Sequence, residues 1–201
     1  NKAVFSKPTM TIVDNNIRVS NVDLRLFNLE DTLINLILKY GNFTLKEKVN
    51  NEFIEISVTE KIVNELTNDN CKIYSKINQK IFYDIKEGID ENEIRGNEYF
   101  FGVEDNEISE RLADSLIVKY EVSDWTKHNI YFGNEENLYD QVVKDVILRY
   151  KSAYIEKIVE DLKIEYENHT DKTELYKKIM LINNLRIKIN GKLNRILWHF
   201  G

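Results

Sequence analysis

Hydrophobic positions along the chain fall into two regimes. In residues 1–27, Ile17 and Val19, then Val22, Leu24 and Leu26, alternate with polar residues at period two, the spacing of extended backbone. This stretch reads as a linker or arm leaning on a domain. Helical spacing begins at Asn28, a good N-cap with Asp31 three residues on. Leu33, Ile34, Ile37 and Leu38 then make one apolar face that closes at Gly41, where a C-terminal cap belongs. A polar loop and Phe53-Ile54-Glu55-Ile56 follow. Ser57 with Glu60 three residues later forms a capping box, each side chain satisfying a free backbone N–H, and opens a helix carrying Ile62, Val63 and Leu66. The next helix is expected from about Ile73 to Lys86, with Ile77, Ile81, Phe82 and Ile85 at helical spacing, ending before Gly88. Asp105 is expected to cap a helix that buries Ile108, Leu112 and Leu116. Trp125, Ile130, Tyr131 and Phe132 lie in a connecting stretch expected to pack over the bundle.

The last third has longer periods. From about Glu135 to Asn168 apolar residues recur without a break, through Leu138, Val142, Val146, Tyr150, Tyr154, Ile158 and Leu162. That predicts one helix of about 50 Å at 1.5 Å rise per residue. His169-Thr170-Asp171 is the turn, with Asp171 and Glu174 placed as a second capping arrangement. A further helix is expected from about Lys172 to Trp198, with Leu175, Ile179, Ile182, Ile189, Leu193 and Ile196 on one stripe. Gly191 sits inside it, at a cost of about 1 kcal/mol relative to Ala. The fold class predicted is all-α: an arm over 1–27, a helical bundle over 28–133, and a long antiparallel helical hairpin over 134–201.

Composition supports this. One proline, Pro8, and seven glycines serve 201 residues, too few for the frequent turns of β sandwiches and barrels. The net charge of −6 argues against a dedicated nucleic-acid clamp, so no direct nucleic-acid binding is expected. No apolar run approaches the roughly 18 residues of a membrane span, and no signal peptide opens the chain. The lone Cys71 excludes an internal disulfide and a cysteine-cluster zinc site. A cytoplasmic, monomeric fragment of a longer protein is the expectation, since the chain opens at Asn1 without Met.

Chemistry-bearing residues are sparse. His128, His169 and His199 are far apart and none has a metal-spaced partner. No HExxH, P-loop, G-x-S-x-G or EF-hand pattern appears. Cys71 has no local His or carboxylate arrangement to activate it and reads as structural. Glu87, Asp90, Glu91 and Glu93 match no ligand loop and read as a solvated loop. No catalytic residue, metal or cofactor is therefore expected, and the fragment is not expected to be an enzyme. A charge asymmetry stands out instead. Residues 171–201 carry seven cations against two acids, +5, leaving −11 on the remaining 170 residues. Two readings fit: cations complementing a helix C-terminus above a packed core, or a docking surface of apolar anchors rimmed by Arg and Lys. The docking reading singles out Arg186, Ile189, Lys192, Leu193, Arg195, Ile196, Leu197, Trp198 and Phe200.

Three segments resemble one family. Asn28-Leu29-Glu30-Asp31-Thr32-Leu33-Ile34-Asn35-Leu36-Ile37-Leu38-Lys39-Tyr40-Gly41 resembles the first helix of the C-terminal domain of bacterial replicative DNA primase of the DnaG type. Tyr99-Phe100-Phe101 through Asp124-Trp125-Thr126-Lys127-His128, with Glu104-Asp105-Asn106-Glu107-Ile108-Ser109 and Lys119-Tyr120-Glu121-Val122-Ser123 inside it, is similar to longer variants of that domain. Leu181-Ile182-Asn183 through Ile189, Leu193, Arg195 and Ile196 matches the family's terminal helix in spacing, with a departure at Asn194, where the family often has Gly. The resemblance covers about residues 28–200. It implies a helical bundle followed by a helical hairpin, docking on the N-terminal collar of the replicative DnaB-type helicase to bring primer synthesis to the fork. It also implies that the hairpin makes the main contact. The zinc and polymerising domains of a primase have no counterpart in this chain. Two alternatives stay open. The helicase collar itself has a similar bundle-plus-hairpin fold, although the ending at Phe200-Gly201 reads as a natural carboxyl end. An acidic or Cys-based enzyme would need a convergent polar pocket.

Overall fold

The computed structural model describes residues 20–49, 51–117, 135–168 and 172–193. Helix α1 spans Asn21–Tyr40 and a two-stranded antiparallel sheet follows, β1 over Thr44–Val49 and β2 over Glu52–Ser57. Then come α2 (Val58–Asn68), α3 (Lys76–Asp90), the short α4 (Asn97–Phe101), α5 (Asn106–Ile117), α6 (Glu135–Asn168) and α7 (Lys172–Lys192). The all-α class holds, and α6 and α7 pack against each other as a helical hairpin.

The start of α1 corrects the reading of residues 21–27 as part of a linker or extended arm. Ser20, not Asn28, is the N-cap: its Oγ accepts the Asp23 N–H at 3.1 Å while its own N–H donates to Asp23 Oδ2 at 3.3 Å. Val22 and Leu26 begin the stripe that continues through Leu29, Leu33, Ile34 and Ile37, with Leu26 fully buried. An alternation only five residues long is equally compatible with the first turns of an amphipathic helix, and the continuous core face decides. Residues 1–19 lie outside the described residues. At the other end Gly41 caps α1 as expected, donating its N–H to the Ile37 carbonyl at 2.8 Å.

The stretch between α1 and α2, expected to be a loop, is the β hairpin. Its left-handed turn residue is Asn51 at φ 70°, a conformation Asn tolerates better than most side chains. Leu45 pairs with Ile56 in the ladder, and Leu45 is buried. Phe43, at the hairpin's base, stacks on Tyr139 of α6 with ring centroids 5.0 Å apart. The capping box at Ser57 and Glu60 is present in both directions, and Asp105 caps α5 through the N–H groups of Glu107 and Ile108. Helix α3 starts and ends later than expected, because it runs through Gly88 instead of stopping before it. A Cβ at Gly88 would lie 2.8 Å from Arg95 Cγ.

One apolar cluster runs through the bundle. Leu33 and Ile37 of α1, Ile62 and Leu66 of α2, Ile81 and Ile85 of α3, Phe100 and Leu112 meet Val143, Val146 and Tyr150 of α6. Each such aliphatic contributes on the order of 1.5–3 kcal/mol by leaving water. The expected boundary at residue 134 therefore does not divide two cores: α6 packs along α1, α2 and β1 and belongs to the bundle, and α7 alone projects from it. At the centre, Glu30 is fully buried and its carboxylate accepts the N–H groups of Tyr74 at 2.7 Å and Ser75 at 3.0 Å, with the Tyr150 hydroxyl at 3.3 Å. Those donors sit where α3 begins, and Ser75 offers no side-chain cap of its own, so a carboxylate from α1 caps α3. Burial pushes the Glu30 carboxyl above its ordinary range, against the opposing pull of those hydrogen bonds.

Candidate functional site

Helix α7 packs chiefly on α6, and polar anchors set its position. Asn190, almost fully buried, accepts a hydrogen bond from Ser152 Oγ at 2.9 Å. Arg186 pairs with Glu156 Oε1 at 2.9 Å, and Arg25 of α1 pairs with the same carboxylate. The two levels, 152 with 190 and 156 with 186, are one helical turn apart on each arm, so they fix one register for the antiparallel pair. Between them the expected stripe of Leu175, Ile179, Ile182, Ile189 and Leu193 turns toward α6, each buried or half-buried.

The candidate docking residues separate accordingly. Arg186 is spent inside the fold on Glu156, and Ile189 and Leu193 are half-buried against the hairpin. Lys192 is exposed. Arg195, Ile196, Leu197, Trp198 and Phe200 lie outside the described residues, as do the expected helical continuation to Trp198, the three histidines, Asp171, and Trp125 through Phe132.

A further set of residues was not singled out by periodicity. Tyr176, Met180, Leu181, Leu185 and Ile187 are 45–72% exposed on α7. They form two edges, Tyr176, Met180 and Ile187 on one side and Leu181 and Leu185 on the other, separated by a ridge that includes Lys177 and Lys188. Nine of the 21 residues of α7 are apolar, more than one buried stripe needs, and that surplus was the available signal. The described helix carries six cations against Glu174 as its only acid.

Two sequence readings of chemistry-bearing groups end differently. The acids of the cluster are solvated as read, Glu87, Glu91 and Glu93 each being more than half exposed, but they also share a partner: Arg95, nearly buried, pairs with all three and with Asp84 and lies over the Tyr99 ring at 4.8 Å. It is a clamp that ties the end of α3 to the start of α4, with Asp90 left exposed outside it. Cys71 is half-buried, and burial pushes its thiol up to about 11, which opposes thiolate formation at neutral pH. Among the described residues no group of three His, Cys, Asp or Glu side chains is placed to hold a metal, and no helix is long and apolar enough to cross a membrane.

The class defined by this geometry is an all-helical bundle from which one cationic, apolar-edged helix projects on a shared second arm. The chain belongs to the family described as a domain of unknown function, DUF8430, whose family model matches residues 19–196. No curated protein and no solved structure matches it.

Proposed function

We propose that the chain is a non-catalytic docking domain: the helicase-interaction domain of a bacterial replicative DNA primase of the DnaG type, which engages the N-terminal collar of a DnaB-type helicase. The observation that carries the docking reading is α7, which packs chiefly on α6 and leaves five large apolar side chains and five lysines exposed. Apolar anchors flanked by cations, as on the two edges of α7, are what interfaces use for anchoring and steering. The primase assignment rests on the sequence resemblance of residues 28–41, 99–128 and 181–196 alone. Tethering makes priming at the fork effectively intramolecular, raising local concentration without new chemistry.

Since Arg186 is paired internally, steering falls to Lys188, Lys192 and Arg195. The test is retention of the chain by an immobilised DnaB-type collar, with a chain truncated at His169 as the deletion control. The exposed-site variant Leu181→Glu is a second control that leaves the α6–α7 packing in place. The intact chain is retained, both variants are not, and the association rate falls as salt rises. Absence of retention of the intact chain refutes the proposal, and an association rate insensitive to salt refutes steering.

A further inference from the structure

Helices α2 and α7 flank the same face of α6 without meeting across it, and the space between them is a cleft of about 580 Å³. Its floor is the α6 face from Ile147 to Ile158, twelve residues spanning about 16 Å, some three helical turns. Ile182, Leu185 and Ile189 of α7 form one wall. The opposite wall carries Lys61 and Glu65 of α2, followed by Asp69 and Cys71.

The polar groups of the second wall are closed on one another. Lys151, with only 8% of its side chain exposed, pairs with Glu65 and with Asp69, and Lys61 bonds Glu47 and Glu65. A small-molecule site needs a few polar groups aimed inward to orient its ligand, and those lining this wall are already satisfied by each other. The α7 wall differs: Leu185 is 52% exposed at its lip, and Lys192 lines the cleft and is exposed to solvent, with Lys188 one turn before it.

We infer that this cleft receives an amphipathic helix of a partner protein, about three turns long, with apolar residues at i, i+3, i+4 and i+7 and acidic residues on the flank that faces α7. The length of the floor and the two walls flanking it fit a helix laid in a groove. The charge on that flank follows from the lysines on the α7 lip, whereas on the α2 side Lys61 and Lys151 are already engaged by Glu47, Glu65 and Asp69 and leave no cation for a partner's carboxylate. A second apolar helix filling the space between α2 and α7 completes the layer over α6 in the manner of bundle packing. The site goes beyond the helicase reading and stands without it, since it specifies a helix-receiving cleft whatever protein supplies the helix.

Cys71 is the chain's one cysteine and lines the cleft, so it reports occupancy directly. The probe is a synthetic 14-residue helical peptide with leucines at the i, i+3, i+4 and i+7 positions and glutamates on the one flank that meets α7, compared with the same peptide carrying lysines for those glutamates. The full chain is titrated while the rate of Cys71 alkylation by a maleimide is followed at fixed pH. The glutamate peptide slows alkylation at least fivefold at saturation, and the lysine peptide binds at least tenfold more weakly. Leu185→Glu, a substitution at an exposed position, abolishes protection, and Lys192→Glu narrows or inverts the preference between the two peptides. Unchanged alkylation at saturating peptide overturns the inference. So does equal protection by both peptides, or protection by a small apolar dye where neither peptide protects. No helicase is present in this assay, so its failure leaves the collar-docking proposal untouched.

Discussion

Glu30→Ala is the most informative single perturbation of the fold. It deletes the fully buried carboxylate that caps α3 and leaves the part-buried N–H groups of Tyr74 and Ser75 without that acceptor. The Tyr150 hydroxyl is less affected, because it also donates to the Lys72 carbonyl at 2.5 Å. An orphaned donor fully cut off from water costs about 1–3 kcal/mol, and these two are part-buried, so the loss is at most about 2–6 kcal/mol. That is a large share of the 5–15 kcal/mol typical of a domain. With a urea slope of about 1–3 kcal/mol/M, the unfolding midpoint read by far-ultraviolet circular dichroism falls by roughly 1 M or more. Glu30→Gln keeps one acceptor and turns its amide nitrogen toward the other donor, so its loss is about 1–3 kcal/mol. The same pair of proteins reads the charge state. Burial raises the folded pKa of Glu30 above its ordinary 4.5, so the folded state binds this proton more tightly than the unfolded chain. The contribution is full below pH 4.5 and is lost as pH rises through the folded pKa. Glutamine does not titrate, so the advantage of Glu over Gln is greatest in acid and shrinks as pH rises. A difference that widens with pH would show that hydrogen bonding outweighs burial. A Glu30→Ala loss under about 0.5 kcal/mol would refute the cap itself.

Two further outcomes follow from the packing. Gly191 lies in α7 with nothing within 4 Å of a Cβ built on it, so Gly191→Ala raises stability by about 0.5–1 kcal/mol. Gly88→Ala instead drives a Cβ to 2.8 Å from Glu93 O and Arg95 Cγ and lowers stability by about 1–3 kcal/mol; opposite shifts of the thermal midpoints check the pair. Ser152→Ala strands the buried Asn190 carbonyl oxygen at a cost of about 1–3 kcal/mol, whereas Ser152→Ala with Asn190→Leu regains most of it. A double-mutant cycle of urea melts showing simple additivity would contradict a direct bond between them.

Much of the secondary structure was legible along the chain. The all-helical class, the capping box at Ser57 and Glu60, the Asp105 cap, the Gly41 stop and the unbroken Glu135–Asn168 helix all emerge as read. These depend on residues three or four apart, and a local signal of that kind is complete in the sequence. The stripe from Leu175 to Leu193 was also visible, although not the two exposed edges beside it, because periodicity ranks faces without saying which of them finds a neighbour.

What the tertiary structure alone decided depends on residues far apart in the chain. Val22 and Leu26 became helical because α1 lies along α6, and Phe43 anchors a hairpin because Tyr139, nearly a hundred residues on, stacks against it. Whether Arg186 is free to meet a partner was settled by Glu156, and whether Glu30 is a surface acid or a buried cap was settled by the start of α3. The cleft exists only because α2 and α7 take flanking places on α6 and leave the floor between them uncovered. A single helix encodes which of its faces is apolar. Whether that face is covered depends on which distant elements reach it, and that is fixed only when the whole chain packs.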